Sequence, residues 1–236
     1  MSRLSTSALF FAYIEEEFTW RHKEMIDISL TIKKTPDKGI KRSLLRAALP
    51  LLYAHWEGFI KKSSEAVISF VAEQRLRHDQ LAACFWVLGV KKELNILMTS
   101  GNAHEAARAL ERILASGALR TRFNAKGHVL TESNLSSKVL EKIAGTIGVD
   151  YSVFESSAPL IDTSLVDRRN HIAHGQLDYI EEDRFTSLMV EIFGLMRTYR
   201  NAIENMVARG DYKNQNHQTP QFTIPQATQG MPSSIP

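Results

Sequence analysis

Two arginines, one asparagine and two histidines fall within seven consecutive positions, 168–174, of a 236-residue chain. The stretch 162–175 reads Asp-Thr-Ser-Leu-Val-Asp-Arg-Arg-Asn-His-Ile-Ala-His-Gly. Leu160, Ile161, Leu165 and Ile172 recur through it at helical spacing, and Gly175 supplies a helix stop. On a helix Asn170 and His174, four apart, share a face. Arg169 lies about 100° round the axis, and its long side chain reaches the space in front of His174. A planar cation, an amide and an imidazole then meet in one small volume, a set suited to holding a phosphate and moving a proton. Two other readings stand beside this one. A helix C-terminus favours Arg and His through its negative dipole end alone. His171 and His174 also have the spacing of a metal pair, with Asp167 and Asp178 as the nearby acidic ligands and no Cys close by.

The elements that must position this stretch are helices. Phe10, Ile14, Phe18, Met25, Ile28 and Ile32 predict a first helix over 5–34, and 35–39 reads as a turn. Leu45, Leu49, Leu52, Trp56, Phe59, Ser63, Ala66 and Phe70 predict a second helix over 40–74, with Pro50 inside it as a kink. Glu57 on that helix is either a surface carboxylate or the group that orients an active-site arginine from behind. Further helices are expected over 79–98, with Leu81, Phe85, Leu88 and Leu94 inward, and over 103–115, capped by Asn102 and carrying Leu110 and Leu114 on one side. Asn134 is read as the cap of a helix over 135–146, Pro159 as the first turn of the motif helix, and 181–208 as a last long helix. The stretch 119–131 alternates instead, as a small β-hairpin or an ordered loop. It carries Arg120, Arg122, Lys126 and His128 round Phe123, either a contact for single-stranded RNA or a solvated loop anchored by one aromatic ring. The expected architecture is all-α, six to eight helices, with one helical domain over 1–209. Residues 210–236 hold four of the seven prolines and five glutamines, and read as a disordered tail.

Composition narrows the class. The chain is 44% hydrophobic and 23% charged, with net charge +3 and a pI of about 8.9, compatible with a nucleic-acid partner. Cys84 is its single cysteine, so no internal disulfide forms and a reducing compartment is expected. The N-terminus lacks a signal-peptide pattern, and the apolar run 44–60 is broken by Arg46, His55 and Glu57. A cytoplasmic protein without a membrane span is the expectation.

Arg169-Asn170-His171-Ile172-Ala173-His174 resembles the arginine-to-histidine motif of the HEPN superfamily, above all its Arg-Asn-x-x-x-His form. Tyr53-Ala-His-Trp-Glu-Gly-Phe-Ile-Lys61 is similar to the early long helix of prokaryotic HEPN proteins, and Thr131-Glu-Ser-Asn-Leu135 to the opening of a middle helix. The resemblance spans roughly 44–209. It implies an all-α HEPN-like bundle, usually dimeric, and a metal-independent ribonuclease of toxin or antiviral-defence type, with a partner such as an antitoxin and no cofactor. On that reading His174 is the acid or base, Arg169 the phosphate clamp, and Asn170 the group that orients His174 or the phosphate. Arg168, His171 and Glu57 are second-rank, and Arg120, Arg122 and Lys126 hold RNA. Two alternatives remain open: a catalytically silent RNA- or partner-binding HEPN module, and a helical scaffold in which the motif merely caps a helix.

Overall fold

The computed structural model describes residues 4–121, 127–131 and 134–215. Its α-helices follow in order: α1 (Ser7–Lys34), α2 (Lys38–Glu73), α3 (Ala83–Gly89), α4 (Lys91–Thr99), α5 (Ala103–Ala115), α6 (Ser137–Ile147), α7 (Arg168–Ala173) and α8 (Glu182–Arg209). The fold is all-α. Among the described residues no strand occurs, and β pairing is limited to isolated bridges between Arg77 and Arg120 and between Leu81 and Lys213.

Three long helices, α1, α2 and α8, pack on one another and bury the stripes that their periodicity predicts. Phe18 of α1 joins all three, edge-on to Phe59 of α2 at 5.8 Å and to Phe193 of α8 at 5.9 Å. A buried hydrogen bond of 2.6 Å between the Ser64 and Tyr199 hydroxyls ties α2 to α8. Thr6 and Asp37 cap α1 and α2 through their side chains. α2 runs on through Pro50 as one helix. No helix among the described residues is long and apolar enough to cross a membrane.

The structure departs from the sequence pattern in the middle of the chain. The helix expected over 79–98 is a short 3₁₀ turn, His78–Gln80, followed by α3 and α4, which meet at Val90. His78 is buried there against Gly89, where a Cβ would lie 2.6 Å from the imidazole Nε2. α4 buries no residue and α5 only Ala109, so Leu110 and Leu114 stay 45% and 59% exposed. Asn102 does cap α5, its Oδ1 accepting the His104 N–H at 2.9 Å. Ser136, rather than Asn134, caps α6.

Of the stretch 119–131, the described residues form no strand, and 120–121 pair with another part of the chain. Arg120 bridges to Arg77, and the Thr121 N–H donates to the Leu76 carbonyl at 2.9 Å. Arg122, Phe123 and Lys126 lie outside the described residues. The segment after Gly210 is described to Gln215. Tyr212 is buried with its ring edge-on to Phe70 at 5.5 Å, and its carbonyl accepts the Ala82 N–H at 2.9 Å.

Candidate active site

The motif is delivered by an unusual helix. Residues Leu160–Asp167 form a π-helix that passes into α7 without a break. Ile161, Leu165 and Val166 bury its inner side. Asp162 fixes its start from outside, accepting the Ser137 N–H at 2.7 Å and the Ser137 hydroxyl, and so also serves the N-terminus of α6. A π-helix bonds five residues back rather than four. The register of Leu160 and Ile161 against Ile172 is therefore not that of one α-helix.

Arg169 and Asn170 leave α7 half-buried. The guanidinium carbon of Arg169 stands 4.0 Å from the ring centroid of Tyr53 on α2, and its Nη1 donates to Asn170 Oδ1 at 2.8 Å. Tyr53 is itself buried, and its hydroxyl accepts the Leu135 N–H at 2.7 Å. Burial, and to a lesser degree the charge and hydrogen bond of Glu57 one turn along α2, push the phenol up to about 12, against the opposing pull of the Leu135 N–H and the Arg169 cation. Tyr53 is thus a neutral ring near neutral pH, a platform for the arginine rather than a proton carrier. Glu57 meets the site through Tyr53.

His174 follows α7 as its C-cap, with φ −85° and ψ 13°, its N–H donating to the Asn170 carbonyl at 2.9 Å. Its side chain is exposed. Gly175 then turns the chain at φ 75°, a left-handed conformation that glycine adopts without steric cost. Arg168 points the other way. Its fork holds Asp178 through Nε at 3.1 Å and Nη2 at 2.5 Å, and Nη2 also donates to the Tyr179 carbonyl. His171 is exposed, with Nδ1 4.0 Å from Asp178. Arg168, His171 and Asp178 therefore shape the loop after the motif. Among the described residues no group of three or more His, Cys, Asp or Glu is arranged to hold a metal.

The structure therefore brings Arg169, Asn170 and, through Tyr53, Glu57 together, with His174 at the open end of the same helix. It does not bring Arg120 to them: that residue is exposed and bonded to the Arg75 carbonyl at 3.3 Å. The RiboL-PSP-HEPN family model matches residues 16–205. The chain belongs to this HEPN family. No curated protein and no solved structure matches it. The HEPN match takes in every residue of the site and runs from within α1 to near the end of α8. Membership points to a nuclease- or RNA-related module.

Tyr53 is the residue that sequence reasoning missed in this HEPN site. Its signal was present. It lies four residues before Glu57 on one face of α2, within the very segment that resembles the early HEPN helix. Nothing in a single sequence, however, says which aromatic ring a distant arginine will cover.

Proposed function

We propose that this HEPN protein is a metal-independent endoribonuclease. RNA carries its own nucleophile, the 2′-hydroxyl beside the scissile phosphate. A protein need only take that proton, steady the extra negative charge on phosphorus and protonate the departing 5′-oxygen. His174 is the proton carrier, exposed at the end of α7. Arg169 is the charge clamp, and the observation that carries the proposal is its placement. Stacked on a buried ring and bonded to Asn170, the guanidinium is oriented before substrate arrives. Asn170 Oδ1 faces Arg169, which leaves its amide N–H groups for a phosphate oxygen. His171 is turned toward Asp178, so one chain supplies one imidazole, that of His174, for the proton work. A second copy across a two-fold axis supplies the partner acid or base, so the working form is a homodimer. A separate antitoxin or defence-system protein that restrains the dimer fits this chemistry.

The test is the product. The 5′ fragment is expected to end in a 2′,3′-cyclic phosphate, and a substrate with a single 2′-deoxy nucleotide at the cleaved position is expected to survive intact. Cleavage at that deoxy position would overturn the 2′-hydroxyl mechanism. One observation favours a second reading. Arg169 already has a ring and an amide in its grasp, so the same geometry serves a silent RNA-binding HEPN module. Tight RNA binding with no product in the dimeric protein would select it.

A further inference from the structure

The loop that follows the motif carries an aromatic ring that the ribonuclease chemistry does not use. Tyr179 is 52% exposed, and the guanidinium carbon of Arg42, on α2, lies 5.5 Å from its ring centroid. The ring is not on a loose loop. Arg168 of α7 grips Asp178 and the Tyr179 carbonyl, Arg46 of α2 donates to the Gln176 carbonyl at 2.9 Å, and Ile180 is buried. Two arginines thus bolt residues 176–179 between the motif helix and α2. Arg46 is tied down by that role, with its Nε shut away from solvent. Arg42 is not. It and Lys38, one turn earlier on the same face, are exposed and have no ion-pair partner among the described residues, whereas Lys41 is paired with Glu182 at 2.7 Å.

We propose that Tyr179 and Arg42 form a subsite for single-stranded nucleic acid, a nucleobase stacking on the Tyr179 ring while Arg42 and Lys38 take the adjoining phosphates. Held exposed rings beside unpaired cations are what binding of unpaired strands requires, because every base has a π-face and every link a charge. The subsite lies five residues beyond His174 and is braced by the neighbour of Arg169. It therefore sets where along a strand the motif acts. This deepens the ribonuclease reading and rests on it for that last step. The subsite itself reads bases and phosphates, so it holds DNA and RNA strands alike. Discrimination for RNA is left to the 2′-hydroxyl at the motif.

The experiment is fluorescence anisotropy with a labelled single-stranded RNA, in the full chain carrying His174→Ala so that the probe stays whole. Tyr179→Ala in that background is expected to weaken binding about tenfold or more. Tyr179→Phe keeps the stacking face and binds like its parent. Arg42→Gln lowers affinity and reduces the slope of log affinity against log salt by about 0.7. A single-stranded DNA competes well and a duplex competes poorly. In the chain with His174 intact, Tyr179→Ala raises KM and leaves kcat unchanged. Equal binding by Tyr179→Ala and its parent overturns the subsite, as does equal competition by duplex. A change in sedimentation with Tyr179→Ala, at unaltered RNA affinity, also overturns it by making the ring a protein contact. Tyr179-dependent binding in a protein that cleaves no RNA leaves the subsite standing and removes the ribonuclease reading. Cleavage with a KM indifferent to Tyr179 does the reverse.

Discussion

At the scale of the residue, the site depends on one ring. Tyr53 does two jobs with separable parts, its face beneath Arg169 and its hydroxyl beneath the Leu135 N–H. Tyr53→Phe keeps the face and leaves a buried N–H without its partner. Stability is expected to fall by about 1–3 kcal/mol, read as a lower chemical-denaturation midpoint, with turnover nearly kept. Tyr53→Leu removes the face as well, and the lost cation–π contact, about 0.5–2 kcal/mol, then appears as slower turnover. Equal turnover in the two variants would mean that the ring does not place Arg169. His78 tests a different residue-scale property. Burial lowers its pKa, so the folded state holds the ring neutral while the unfolded chain protonates near 6.5. Its contribution is full above that value and is lost as pH falls through it. The melting temperature should be flat above about pH 7 and decline below about 6.5, with a shallower decline in His78→Gln. An unchanged pH profile in that variant would contradict it.

At the scale of the element, the chain was legible wherever one helix buries one stripe. α1, α2 and α8 were readable because Phe10 to Ile32, Leu45 to Phe70 and Phe185 to Val207 recur at helical spacing, with one longer gap over Arg21 and His22 in α1, and face one common core. Legibility failed where the backbone changes its period or its neighbour. The π-turns before Arg168 keep a helical sequence pattern while altering its register, which no apolar count detects. The break at Val90 follows Gly89, which lies against the His78 imidazole from a separate turn of chain, a neighbour that no local pattern reveals. Leu110 and Leu114 share one side of α5 as their spacing implies, yet α5 packs chiefly on α4 and leaves them in solvent. Of the site, the motif itself was visible and its main support was not: Tyr53 and Asp162 act through partners far away in sequence. Asp162 gives the element-scale prediction. Asp162→Ala removes the external cap of α6 and the anchor of the π-turns together. It should cost about 1 kcal/mol or more of stability and also slow the protein's turnover. A stable variant with full activity would show that the π-turns hold themselves.

At the scale of the whole molecule, the bundle does not stop where composition changes. Tyr212 packs on Phe70 and its backbone bonds Ala82, so a chain ended at Arg209 should melt several degrees lower, whereas one ended at Gln215 keeps these contacts. Equal melting of the two would show that the Tyr212 contact is dispensable. Dimerisation belongs to this scale as well. Sedimentation at micromolar concentration is expected to show the dimer, and full activity in a monomer would remove the two-imidazole scheme. The central claim is that Arg169 and His174 cut RNA without a metal, and one assay meets it head on. Purified protein, His174→Ala and Arg169→Ala are each incubated with end-labelled RNA in EDTA, and single-turnover rates are compared. The parent is expected to cleave, and each variant to be slower by roughly a hundred- to ten-thousandfold. Cleavage by His174→Ala at the parent's rate, or cleavage abolished by EDTA, would contradict the account.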